Sequence, residues 1–167
     1  MRIMGIDPGT NILGYGIIDE NESGLFPVVY GVIVVATKEK IEDKLFTIYK
    51  ALKNIIRQYK PEVVALEEPF VAINVRSALS IGRAQAIAML TATENKLPIF
   101  RYSPRHVKLQ VTNYGGSLKN QVNEMVKLQL NLRHDNIEDD ASDALAVALC
   151  HISQMHFKDL MSKNKGQ

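Results

Sequence analysis

Residues 3–19 read Ile3-Met4-Gly5-Ile6-Asp7-Pro8-Gly9-Thr10-Asn11-Ile12-Leu13-Gly14-Tyr15-Gly16-Ile17-Ile18-Asp19. Two short apolar runs, Met1 to Asp7 and Leu13 to Asp19, flank an Asp-Pro-Gly-Thr turn, the punctuation expected between strands. A third run, Pro27 to Val35, follows the turn residues Asn21-Glu22-Ser23-Gly24, so the chain opens as an antiparallel three-strand meander. From Glu39 to Tyr59, Ile41, Leu45, Ile48, Leu52, Ile55 and Ile56 recur at three- and four-residue steps and predict an amphipathic helix, ended by Pro61. Val63-Val64-Ala65-Leu66 is apolar on both faces, as in a strand covered on both sides. Helical spacing resumes over Ser77 to Glu94. Pro98 to Tyr102 supplies a fifth strand, and Ser103-Pro104 starts a short helix with a capping hydroxyl and a proline in its first turn. Ser117 is expected to cap a helix running to about Leu132, and a last helix spans about Glu138 to Phe157. The expectation is α/β: a mixed five-stranded sheet with helices on both faces, one domain over residues 1–157 and a frayed tail over 158–167.

Composition supports a packed core. The chain has 167 residues, 46% hydrophobic and 23% charged, enough to bury a core without disulfides. Its one cysteine, Cys150, sits in an apolar stretch and reads as a small core residue. The sequence shows no secretory signal pattern and no apolar window of membrane-spanning length, so a cytoplasmic location without membrane association is expected. Net charge is only +2, from 20 basic and 18 acidic residues, but its distribution is uneven. Lys96, Arg101, Arg105, Lys108, Lys119, Lys127 and Arg133 face a single acid, Glu124, over residues 96–133, whereas five acids and no base occupy residues 135–143.

Several of the acids stand where charge is costly. Asp7 closes an apolar strand, where an unpaired carboxylate loses hydration at several kcal/mol. Glu67 and Glu68 end the second apolar strand. Because side chains alternate across a strand, only one of the two can join a site on a given face. Asp140 and Asp143 lie three apart at the start of the last helix, on the border of its buried stripe, while Asp139 turns toward water. Like charges meeting in one cleft raise one another's pKa, and a divalent cation relieves this. An all-oxygen set without a Cys/His cluster suits Mg²⁺ or Mn²⁺, and two such ions about 3.5–4 Å apart support phosphodiester hydrolysis.

Three blocks, Gly5-Ile6-Asp7-Pro8-Gly9-Thr10 with Gly14-Tyr15-Gly16, Leu66-Glu67 before Pro69-Phe70, and Asp140-Ala141-Ser142-Asp143-Ala144-Leu145-Ala146, resemble those of the RuvC-type Holliday-junction resolvases. The likeness runs from Met1 to about His156 and includes Asn74 through Gly82. The resemblance implies an RNase H-like fold, a symmetric homodimer, and an endonuclease that resolves four-way DNA junctions in recombination and repair by paired nicks. It implies two Mg²⁺ ions per active site, replaceable by Mn²⁺, on Asp7, Glu67, Asp140 and Asp143 as catalytic acids, and a branch-migration motor as partner. It makes Phe70 a residue that stacks on a junction base, Lys108 and Lys119 basic residues beside the site, and Arg76 and Arg105 further DNA contacts. A basic wall beside an acidic cleft suits a polyanion whose phosphate must approach carboxylates.

Two other functions are weighed. Asp7, Gly9 and Thr10 also resemble the phosphate-binding turn of actin-like ATPases and sugar kinases, but the chain has no second glycine-rich phosphate turn. A non-catalytic junction-binding module is disfavoured by the presence of all four acids.

Overall fold

A computed structural model describes residues 1–68, 75–133 and 135–164. Strands β1 (Arg2–Asp7), β2 (Ile12–Asn21) and β3 (Gly24–Val34) form the meander, followed by α1 (Ile41–Tyr59), β4 (Val63–Glu67), α2 (Val75–Glu94), β5 (Ile99–Tyr102), α3 (Pro104–Thr112), α4 (Lys119–Gln129) and α5 (Asp139–Asn164). The sheet order is β3-β2-β1-β4-β5. β1 pairs antiparallel with β2 and parallel with β4, and β4 pairs parallel with β5. The expected mixed five-stranded sheet is therefore present, with β1 at its centre between β2 and β4.

Alternation along these strands divides the core in two. Met4, Ile6, Leu13, Ile17, Val64 and Leu66 pack with Ile48, Leu52 and Ile56 of α1 and with Ala88 and Ala92 of α2. Ile3, Ile18, Val63, Ala65 and Tyr102 face the other way, onto Val107 and Val111 of α3, Val122 and Val126 of α4, and Leu145 to Cys150 of α5. Helix α5 is buried almost all round in its first half, and three glycines let it lie directly on the sheet. A Cβ on Gly5 would stand 2.0 Å from the Ala144 carbonyl oxygen, one on Gly14 1.9 Å from that of Asp140, and one on Gly16 2.6 Å from the Leu145 side chain. Gly5 pairs with Gly16, and Gly14 with Asp7, so the glycines form one trough across β1 and β2.

The structure corrects four boundaries. β3 starts at Gly24, with Pro27 inside it opposite Ile18. On an edge strand a proline can direct its missing N–H outward, and the register shift between Ile17 and Ile18 accommodates it. Helix α2 begins at Val75, two positions before the expected Ser77. Leu118, not Ser117, is the N-cap of α4; the Ser117 hydroxyl is turned inward, donating to the Tyr114 carbonyl at 2.8 Å, while the Gln121 side chain accepts from Leu118 N–H at 2.9 Å. The last helix runs past its expected end at Phe157. α5 continues to Asn164, because no proline or glycine interrupts it before Gly166. Ser103 does cap α3, accepting from His106 N–H at 3.3 Å, with Pro104 in the first turn.

Candidate active site

The acidic site is built at the carboxyl ends of β1 and β4. Ile6 pairs with Leu66, so the next residues of the two strands, Asp7 and Glu67, stand side by side on the face toward α5. Glu68 falls on the opposite face, exposed and 3.2 Å from Arg101. The parity that the sequence left open between the two glutamates is thereby decided for Glu67. From the other side, the glycine trough brings the first turn of α5 onto the sheet. The Asp140 carbonyl is packed against Gly14, the cross-strand partner of Asp7, and Asp143 follows one turn later. Glu67 and Asp143 line one cleft with Lys108 and Lys119.

Burial is the main influence on these acids. Asp7 is pushed up to about 7, first by desolvation and then by Asp143 and Asp140, with Lys119 opposing. Glu67 is likewise pushed up to about 7 by desolvation, Asp7 and Asp143, against Lys108 and Lys119. Asp143 is raised as well, because burial outweighs its hydrogen bond from Lys119. Each group is short of positive charge: Lys108 opposes the shift of Glu67, and Lys119 opposes those of all three. Its ammonium sits 2.9 Å from Asp143 and 3.4 Å from Asp139.

All four donors offer hard oxygen, which matches a divalent cation in kind. Spacing is a different matter: among the described residues no three His, Cys, Asp or Glu side chains stand close enough together to hold an ion. With Lys108 and Lys119 offsetting them in part, the carboxylates share one electrostatic field. A dication bound there would offset their mutual repulsion.

Arg105 is exposed on α3 and packs against the Gly115 turn. Phe70 lies outside the described residues, as does the side chain of Arg76. Cys150 is fully buried, and desolvation, then Glu67, pushes its thiol up to about 12; it stays protonated, in keeping with a core role. The structure also shows a clasp that the sequence reading missed. Asn123, one turn after Lys119 on α4, donates to Asp139 at 3.4 Å and accepts from the buried Ser142 hydroxyl at 3.0 Å. The available signal was two i,i+4 polar pairs, Lys119/Asn123 and Asp139/Asp143, on successive helices.

The family described as "Crossover junction endodeoxyribonuclease RuvC" matches residues 3–151. Curated proteins of that name from Dehalococcoides mccartyi (45% identical, covering 98% of both chains) and Syntrophotalea carbinolica (45%, 97% of this chain and 100% of that one) are similar over nearly their whole lengths. Among solved structures, "T. thermophilus RuvC in complex with Holliday junction substrate" aligns with a TM-score of 0.88 at 27% identity, over 95% of this chain and 96% of that one.

Proposed function

The chain belongs to the RuvC family of crossover junction endodeoxyribonucleases, and from that premise we propose that it resolves four-way DNA junctions by paired symmetric nicks, with Asp7, Glu67, Asp140 and Asp143 holding two divalent ions, Mg²⁺ by preference. The observation that carries this reading is the pairing of two half-buried acids, each raised to about 7, on neighbouring parallel strand ends that face the Asp143-bearing helix. Such buried, mutually repelling acids at the ends of central strands are a poor arrangement for stability and a useful one for gripping cations. The chemistry the ions supply when bound is a water of lowered pKa and compensation of charge on the leaving 3′ oxygen.

The remaining work falls to this chain's own residues. Asp7, on the central strand, is coupled both to Glu67 and to Asp140 and Asp143, and would help to hold an ion with either. Lys108 and Lys119 face the same cleft as Glu67 and Asp143. Lys119, 2.9 Å from Asp143, would offset charge that develops on a phosphate oxygen brought into the cleft. Phe70 is proposed to stack on an unpaired base, and Arg76 and Arg105 to hold backbone phosphates.

A two-fold dimer would match the symmetry of the junction. Supporting it, α2 presents Leu79, Gly82, Ala86 and Leu90 outward at helical spacing, with Leu79 54% and Leu90 59% exposed. We place the protein in the cytoplasm with a branch-migration motor as partner. Among the described residues no helix is long and apolar enough to cross a membrane.

The deciding experiment offers a synthetic four-way junction and a linear duplex of equal sequence, with and without Mg²⁺. Paired nicks are expected in the junction alone and only with metal, with two protein copies per junction by sedimentation. A junction left intact at every metal concentration would refute the assignment.

Metal and pH are linked through the same acids. The folded values of Asp7 and Glu67 lie above their unfolded ones, so the metal-free fold holds protons across the interval from about 4 to about 7. It therefore loses stability as the pH rises through that interval. The gain in melting temperature on adding Mg²⁺ in place of a chelator is expected to grow steadily from pH 5 to pH 8. A gain that is flat with pH would mean that Asp7 and Glu67 do not bind the ion.

A further inference from the structure

Helix α2 lies on the face of the sheet opposite the acidic cleft, yet it is tied to both acid-bearing strand ends. The Gln85 side-chain amide donates to the main-chain carbonyl of Glu67 at 2.9 Å. One turn and a half earlier, the Ser80 hydroxyl meets that of Thr10, which is itself 7% exposed and closes the turn that begins at Asp7. Ala84, Ala88 and Ala92, all buried, bring the helix close to the sheet between and beyond these contacts. Side chains on this face cannot reach an ion or a scissile phosphate held on the other, so whatever Ser80 and Gln85 do for the site they do through the backbone.

The geometry points to α2 as a brace. We propose that Ser80 and Gln85 are positioning residues, which fix from behind the chain at Glu67 and just after Asp7, and so hold the two carboxylates at a separation that one cation can span. The inference rests on the reading that these acids bind divalent ions. The physical reason is that the acids repel each other and sit at strand ends. At β4 the paired ladder ends with Glu67. A hydrogen bond to the Glu67 carbonyl restrains the peptide that carries the ligand, much as outer partners orient the ligands of a metal centre.

Calorimetric titration with Mn²⁺, without DNA, tests this on the full chain in four forms: parental, Gln85→Met, Ser80→Ala and Ser80→Thr. The parental protein must bind Mn²⁺; failure there overturns the metal reading and not the brace alone. Gln85→Met keeps the side-chain length and removes the donor, and is expected to weaken Mn²⁺ binding about 10-fold. The metal concentration for half-maximal cleavage should rise in step, while the rate at saturating metal and the melting temperature of the metal-free protein stay near parental. Mn²⁺ affinity unchanged in Gln85→Met overturns the brace. If that variant does not fold, the serine pair decides: Ser80→Ala should weaken Mn²⁺ binding and Ser80→Thr should restore it, and equal behaviour of the two overturns the proposal.

Discussion

Asp7→Asn is expected to cut junction cleavage by about 10³-fold or more while leaving junction binding in low salt intact. Asparagine keeps the volume and most of the polarity of the side chain, so the half-buried pocket at the end of β1 stays filled. What it removes is the charge that faces Glu67, Asp140 and Asp143. In the metal-free protein that charge is a liability, since desolvation and the neighbouring acids push Asp7 up to about 7. The same substitution should therefore raise the melting temperature of the metal-free protein above pH 7 while abolishing the stabilisation conferred by Mg²⁺. Opposite movements of activity and stability are what a ligand held against repulsion predicts. A variant that cuts at the parental rate, or one that loses both activity and fold, would show that Asp7 does not serve as a metal ligand.

Gly14→Ala is the second large effect. The added Cβ would meet the Asp140 carbonyl oxygen at 1.9 Å. Neither partner can yield cheaply, because one lies in β2, paired on both sides with β1 and β3, and the other opens a helix buried almost all round in its first half. Overpacking of this kind costs typically 1–3 kcal/mol, and here a value at the top of that range, about 3 kcal/mol, is expected in denaturant unfolding. Retreat of α5 would also carry Asp140 and Asp143 away from Asp7 and Glu67. Cleavage should therefore fall more steeply than the folded fraction does, which single-turnover assays at a temperature where the variant is folded can separate. Gly5→Ala, facing Ala144 at 2.0 Å, should destabilise as much but disturb the acids less, since its clash lies one turn further along α5. Equal stability of Gly14→Ala and the parental protein would mean that the trough is not what seats the helix.

Much of the site was legible because its chemistry is local. Asp7 stands out as a charge closing an apolar strand, Asp140 and Asp143 as an i,i+3 pair on the rim of a buried stripe, and Lys108 and Lys119 as members of a basic stretch just ahead of an acidic one. Boundaries were less legible where another contact or the surrounding element overrides the residue's own signal. Pro27 looked like the beginning of a strand and is instead inside one, because β3 is an edge. Ser117 looked like a cap and instead turns its hydroxyl inward to the chain before it. The last helix looked as if it ended near Phe157 and is carried on to Asn164 from a well-anchored first half.

By itself the sequence determined the order of strands and helices, the two faces of each, and which acids are out of place, since periodicity and turn chemistry are properties of neighbours along the chain. Only the tertiary structure decided that Glu67 rather than Glu68 joins Asp7, because that depends on the register between β1 and β4, where a slip of one residue exchanges the faces. It also decided how near α5 comes to the sheet. Gly5, Gly14 and Gly16 are far from α5 in sequence, and their lack of a Cβ acquires meaning only when a helix more than a hundred residues later is laid across them. Electrostatic coupling among the four acids follows from that close approach, because charge interactions depend on distance through space and on burial, and neither is written in the spacing of the letters.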